Sequence, residues 1–385
     1  MKLSTRSNIS PFIVMEVMAA AAAREGAGGD VLHLEVGQPS FSAPSGVLEA
    51  AHAALRDNRI GYTLALGVPE LRQRIASHYA DQYGQSVNPE RIVVTTGSSA
   101  AFLLSFLALF DPGSRVAIAS PGYPAYRNIM KVLNIEPVLI PCTVQSGFQV
   151  TPELLQRAAQ NGPLDGLLIA SPANPTGSML GEAQFRALAG HCREQNMVLI
   201  SDEIYHGITY GRPAHSALEF APDAVIINSF SKYFSMTGWR LGWMVVPEPM
   251  LRAVERISQN LFISPPTLSQ YAALAAFDCH DELKRNVAVY AANRELLLRE
   301  LPMAGITGFA PADGAFYLYA DVSHLTQDSE QFCRRMLNET GVAATPGVDF
   351  DPANGHRFIR FSFAGSTVIM AEAAKRLRLW LGSED

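Results

Sequence analysis

One lysine, Lys232, stands in the stretch SFSKYFSMTGWRLGW (residues 229–243), among serines, aromatics and apolar residues, with Arg240 a short way downstream. A lysine buried in such company loses part of its preference for the charged form, and its amine becomes a nucleophile or a proton acceptor. On a surface the same residue would be a solvated charge. Four other short segments carry groups able to work with that amine. Gly97-Ser98-Ser99 stands where a strand pattern gives way to a helix pattern, so its backbone N–H groups and hydroxyls suit a phosphate. Ser229 and Arg240 add a hydroxyl and a charge to the same task. Tyr123 in SPGYPAY offers a flat face for a ring, Asn174 in SPANPTG an amide, and Asp202 and Tyr205 in SDEIY a carboxylate and a phenol. Taken singly, each has a structural alternative. Asp202, Ser98 and Ser99 are suitable helix N-caps, Arg240 suits an ion pair, and Tyr123 suits core packing. A capping site and a phosphate site use the same free N–H groups, so for the serines the two readings are compatible.

A parallel sheet would gather these groups. RIVVTTG, RVAIASPGY, LDGLLIASPANPTG, MVLISDEIY and AVIINSFSK hold near-continuous β-branched and aliphatic runs, the pattern of strands buried on both faces. SSAAFLLSFLALF and EAQFRALAGHCREQN read as helices between them, which implies right-handed crossovers. Ligands of open α/β sheets bind beyond the carboxyl ends of the strands, where all five segments fall. GVPELRQRIASHYADQYG predicts an earlier helix, with Pro69 in its first turn and Gly84 past its end. Toward the C-terminus, VAVYAANRELLLRELP is helical, GAFYLYADVS and HRFIRFSFA alternate like antiparallel strands, and TVIMAEAAKRLRLWLG closes the chain as a helix. The expectation is an α/β fold in two parts. Residues 41–280 form a large domain with a mostly parallel central sheet flanked by helices. Residues 1–40 join 281–385 in a smaller α+β domain, with the N-terminal helix packed on it. Phosphate cradle, ring-facing aromatic, carboxylate and lysine together describe pyridoxal 5'-phosphate held as a Schiff base.

Composition narrows the class. The chain has 385 residues, 48% hydrophobic and 17% charged, enough for a large core and unlike a disordered chain. A net charge of −6 argues against nucleic acid or an anionic membrane as the main partner. Cys142, Cys192, Cys279 and Cys333 are scattered without zinc spacing, and the nine histidines form no H-E-x-x-H, so no metal site is expected. Reduced, buried cysteines suit a cytoplasmic protein. ISPFIVMEVMAAAAA faintly resembles a secretion signal, but Pro11 and Glu16 interrupt it and its residues suit a packed helix.

At this point the chain resembles the pyridoxal-phosphate-dependent aminotransferases of class I/II, fold type I, the aspartate aminotransferase superfamily. The resemblance runs over nearly the whole chain, through VGQPSF, GYTLALGVPELR, TTGSSAAFLL, SPGYPAY, SPANPTG, SDEIY, SFSKYFSMTGWRLGW, GAFY and RFIRFSF in order. It implies that Lys232 carries the cofactor as a Schiff base and later moves the substrate proton. It implies that Asp202 pairs with the ring nitrogen, that Asn174 and Tyr205 donate to the ring's phenolic oxygen, and that Tyr123 stacks on the ring. Ser98, Ser99, Ser229 and Arg240 match the phosphate cradle, and Tyr62 a tyrosine that reaches the phosphate of the neighbouring subunit, implying a homodimer. Arg360 matches the arginine that grips the substrate carboxylate, with Gly37 and Asn174 beside it. Of the two arginines in HRFIRFSF, Arg357 is expected to face solvent.

The expected activity is transfer of the amino group of an L-amino acid to a 2-oxo acid with ping-pong kinetics. Other chemistries on the same scaffold, by a β-lyase, decarboxylase or synthase, share these residues. A ligand-sensing module of a transcription regulator is the remoter alternative; with the family pattern starting within the first dozen residues, a preceding DNA-binding domain is not expected. The segments around Phe12 and QNLFISPP are apolar and favour a neutral or apolar substrate side chain.

Overall fold

The computed structural model describes residues 1–382. Its largest sheet has seven strands, in the spatial order Ile92–Thr95, Gly242–Val245, Val225–Ser229, Val198–Asp202, Gly166–Ala170, Arg115–Ser120 and Glu136–Pro141. All run parallel except Gly242–Val245, which is antiparallel to both of its neighbours. The five strands expected from the buried runs are present. Alternate residues of each strand enter opposite layers: Ile92, Val94, Leu167, Ile169 and Ile226 pack with Leu71, Ile75, Tyr79, Phe185 and Phe277 on one side, and Val93, Leu168, Ile200, Val225 and Ile227 with Phe102, Phe106 and Met130 on the other. Burial on both faces is why these strands read as unbroken apolar runs.

Two strands of this sheet were not expected. Glu136–Pro141 lies at the edge and carries proline at its second and last positions, which only an edge strand tolerates. Gly242–Val245 is four residues long. Its reversed direction matters for the site: its amino end lies level with the carboxyl ends of its neighbours, Gly242 pairing with Thr95 and Ser229.

The helices follow local rules. Pro69 opens the helix Pro69–Tyr83, and Gly84 closes it with φ of 64°. Beyond the large sheet, Thr345–Pro346, Phe358–Ser362, Tyr317–Asp321 and Thr307–Phe309 form an antiparallel sheet that packs with the helices His280–Glu300 and Thr367–Leu381 around Phe316, Phe361, Met370 and Leu377. A short parallel pair joins Leu32–His33 to Val342–Ala343. The N-terminal helix Ile13–Gly26 rests Val17 and Ala21 on Leu337 and Ala343, as its apolar pattern suggested. No helix among the described residues is long and apolar enough to cross a membrane. All four cysteines are free; Cys142, Cys192 and Cys333 are buried and Cys279 half-buried.

Candidate active site

A cavity of about 540 Å³ opens at the carboxyl edge of the large sheet, and its wall is completed by the N-terminal helix and the smaller sheet. Lys232, three residues past the strand Val225–Ser229, lies in its wall. Its Nζ donates to the Gly37 carbonyl at 2.5 Å and stands 5.9 Å from the centroid of the Tyr205 ring. The amine keeps some solvent contact through the cavity, but desolvation lowers its pKa to about 8. The charges of Arg360 and Arg240 push the same way, and Asp202 opposes them.

Asp202 ends its strand beside this lysine. One carboxylate oxygen accepts from the hydroxyl of Tyr126, the other from the Ile204 N–H at 3.1 Å. The capping alternative is therefore met in part: Asp202 caps the turn that follows, where no helix forms. Burial raises its carboxyl to about 6, against the lowering effect of both hydrogen bonds and of Lys232. Tyr205 shares a hydrogen bond of 2.7 Å with Tyr317 through their hydroxyls. Gly37 must be a glycine: a Cβ there would lie 1.9 Å from the Tyr317 oxygen and break that pair.

Arg360, on the strand Phe358–Ser362, is 3% exposed. Its Nη1 donates to Asn174 Oδ1 at 2.9 Å, and its Nη2 to the Glu35 carbonyl at 2.5 Å and to Thr345 Oγ1 at 3.3 Å. The guanidinium lies over the Tyr317 ring at 4.3 Å and the Phe350 ring at 4.7 Å. Its Nε is buried without a hydrogen-bond partner. A buried cation with an open donor is costly unless an acceptor joins it. Arg357 is turned to solvent and pairs with Asp321 at 2.7 Å, as expected. It belongs to the turn Gly355–Arg357 before the strand and not to the strand itself.

At the other end of the cavity the helix Gly97–Leu109 begins. Thr96 occupies its cap position and makes no side-chain hydrogen bond there, so Ser98 and Ser99 are first-turn residues and not caps. Both border the cavity, as does Arg240. Gly97 has φ of 73°, and a Cβ on it would stand 2.6 Å from Arg240 Nη2. The reversed strand explains how Arg240 arrives: it lies just before the amino end of Gly242–Val245. Tyr123 meets Phe12 edge-on at 5.8 Å and Tyr126 at 5.2 Å.

Two expected residues lie outside this wall. Ser229 is buried behind it, its hydroxyl hydrogen-bonded to the Leu241 carbonyl and Ser231 Oγ, and Ser231 borders the cavity instead. Tyr62 is 85% exposed and does not line the cavity. Residues not singled out from sequence include Tyr126, Tyr317, Ser231, Met15 and Met18. Tyr126 had a usable signal, since it follows Tyr123 by one helical turn and shares its face.

The model of the family "Aminotransferase class I and II" matches residues 29–377. The chain belongs to this aminotransferase family. A valine–pyruvate aminotransferase of Mycobacterium tuberculosis is 50% identical over 387 residues, spanning 100% of this chain and 99% of that one. A crystal structure of an aminotransferase from Mycobacterium tuberculosis superposes with a TM-score of 0.97 at 49% identity, covering 100% of both chains. The aspartate aminotransferase from Thermus thermophilus with maleate gives 0.93 at 32% identity, covering 98% of this chain and 99% of that one. The fold is that of the fold-type I aminotransferases, and the reaction is transfer of an amino group between an amino acid and a 2-oxo acid.

Proposed function

We propose that this aminotransferase takes a neutral, apolar L-amino acid, valine foremost, and a monocarboxylic 2-oxo acid such as pyruvate, with pyridoxal 5'-phosphate held at Lys232. One observation carries the choice of substrate. Phe12, Val14, Met15 and Met18 form an apolar wall of the cavity, and the Lys and Arg residues lining it, among the described residues, are Lys232, Arg240 and Arg360. Arg240 stands at the phosphate end, Lys232 at the reacting carbon, and Arg360 remains for one carboxylate. Among the described residues, no further Lys or Arg lines the cavity to meet a second, distal carboxylate. The valine–pyruvate aminotransferase relative supports the same choice.

The residues fit the cofactor. Gly97 leaves room that a Cβ would fill beside Arg240, and the uncapped start of its helix offers N–H groups to a phosphate. In this reading Ser98, Ser99 and Arg240 hold the phosphate, with Ser229 supporting them through Ser231. Tyr123 faces the ring. Asp202, kept in place by Tyr126, would pair with the ring nitrogen in its protonated form, whose charge would offset the cost of the buried carboxylate. Tyr205 and Asn174 would hold the phenolic oxygen. When bound, the cofactor supplies an electron sink for the pair left at the substrate's Cα.

The chain's own residues do the rest. Arg360 grips the α-carboxylate through its planar fork, with Asn174 and Gly37 beside it, and so fixes which way the Cα–H bond points. Lys232, its pKa already lowered, takes the proton from Cα as the base. The apolar wall excludes water from the side chain. Two half-reactions in turn give ping-pong kinetics. We place the cofactor-binding domain at 41–280 and the smaller domain at 1–40 with 281–385. Tyr62 is exposed, as are Ile60, Leu64, Leu261 and Ile263, and hydrogen bonds from Thr267 to the Gly61 carbonyl and from Ser258 to the Ala65 carbonyl tie the two segments together, a surface suited to a second copy in a cytoplasmic homodimer that brings Tyr62 to the partner's phosphate.

A panel of L-amino acids offered with pyruvate tests the substrate reading. Valine and its apolar neighbours are expected to outpace aspartate and glutamate. Preferential turnover of a dicarboxylic amino acid would overturn it.

A further inference from the structure

The helix that forms the apolar wall is weakly held. Of Ile13–Gly26, Val14 and Ala21 are the buried residues, and Met15 is 55% exposed. Its start has no local cap: Phe12 occupies the cap position and carries no acceptor, which leaves first-turn N–H groups to find partners elsewhere. The acceptor comes from 336 residues away. Asp349 Oδ1 accepts from the Ile13 N–H and Oδ2 from the Val14 N–H, both at 3.2 Å. A carboxylate suits this position, because a helix start carries partial positive charge.

Asp349 is itself 1% exposed and ends the turn Gly347–Asp349. Its carbonyl accepts from Arg127 Nη2 at 2.6 Å. The ring of the next residue, Phe350, packs against Arg360 from one side, as that of Tyr317 does too. One short segment thus fixes the start of the wall helix and supports the carboxylate-binding arginine. The far half of the helix has separate anchors: Arg24 Nη1 donates to the Asn338 carbonyl at 3.0 Å, and Ala21 packs on Leu337 and Ala343. Loss of the cap should therefore free the first turns, which carry Phe12, Val14, Met15 and Met18, and leave the rest docked.

We propose that Asp349 is a positioning residue for substrate selectivity, capping the N-terminal helix from a distant segment so that the apolar wall closes on the substrate side chain. The proposal rests on the reading that the side chain lies against this wall. A released wall costs a branched side chain more than a methyl group, since each methylene loses its apolar contact.

The test compares wild type with Asp349→Ala and Asp349→Asn, the latter keeping one acceptor oxygen. Amide hydrogen exchange is followed over residues 13–18 without added amino acid, together with half-reaction rates for valine and alanine and the affinity for pyridoxal phosphate. For Asp349→Ala we expect faster exchange at 13–18 with the strand 198–202 unchanged. The valine-to-alanine preference should fall by about tenfold, the effect of a lost helix cap, through weaker valine binding. Cofactor affinity should stay unchanged, and Asp349→Asn should fall between. Unchanged exchange at 13–18, or equal losses for valine and alanine, would overturn the proposal. A wild-type enzyme preferring aspartate would overturn the substrate reading instead, and the exchange data would still decide the cap.

Discussion

The two ends of the cavity are built differently. At the polar end Lys232, Asp202, Asn174 and Arg240 each lie within a few residues of a strand of the large sheet, and Arg360 lies on a strand that is itself buried. At the apolar end Phe12, Val14, Met15 and Met18 depend on a single helix with two buried residues and a cap borrowed from Asp349. In the proposed reading, groups that must meet reacting atoms sit on elements that cannot shift without breaking the core, and groups that judge the side chain sit on an element that can loosen locally. The difference teaches where selectivity can change without loss of chemistry.

Arg360→Lys attacks the rigid end. Lysine keeps the charge but loses the fork, so the KM for the amino acid should rise on the order of 100-fold while cofactor affinity holds. Steady-state kinetics with a parallel cofactor titration check this; an unchanged KM would remove Arg360 from carboxylate binding.

A smaller effect tests the burial of Lys232 in the cofactor-free protein. Folded, this amine gives up its proton near pH 8; unfolded, near its ordinary 10.5. Between those values the unfolded chain binds more protons, so stability rises with pH over that window. The contribution is on the order of 2 kcal/mol, reduced from the full shift because the amine keeps some solvent contact. Lys232→Met should lack this rise. Urea midpoints of both proteins between pH 8 and pH 10 measure it, and parallel profiles would contradict the assigned burial.

The smallest effect belongs to the loose end. Met15→Ala combined with Met18→Ala should lower the preference for valine over alanine by only a few-fold, because these flexible side chains give up contact area without creating a closed void. Competition between the two substrates reads this out directly. A change in cofactor affinity in that variant would contradict the division between the two ends.

The same division governs what was legible in the sequence. The rigid end announced itself because strands buried on both faces must be apolar throughout, and the polar residues after IVVTT, VAIAS, LLIAS, VLISD and VIINS stand out against that background. The strand Glu136–Pro141 was hidden by its edge position, which admits prolines. Gly242–Val245 opens on a glycine just after the turn at Arg240, with no break in the sequence to mark its start, and this hid it and with it the reason that Arg240 reaches the cavity beside Gly97. The motif assigns Ser229 to the phosphate task, yet Ser231 borders the cavity while the Ser229 hydroxyl bonds the Leu241 carbonyl and Ser231 Oγ behind it. Tyr317 lay in a motif already noticed, but its bond to Tyr205 joins residues 112 apart and leaves no local pattern. The Asp349 cap is more distant still. Periodicity reports which face is buried and says nothing about which remote side chain completes a helix end.

The central claim is that Lys232 is the residue to which the cofactor is joined. The direct measurement is borohydride reduction of the enzyme loaded with pyridoxal phosphate, followed by peptide mapping by mass spectrometry. The account predicts one pyridoxyl adduct, on Lys232 in the peptide spanning SFSKYFSMTGWR, and its loss when valine is added before the reduction. An adduct on another lysine, or no adduct in an enzyme that still transfers amino groups, would contradict it.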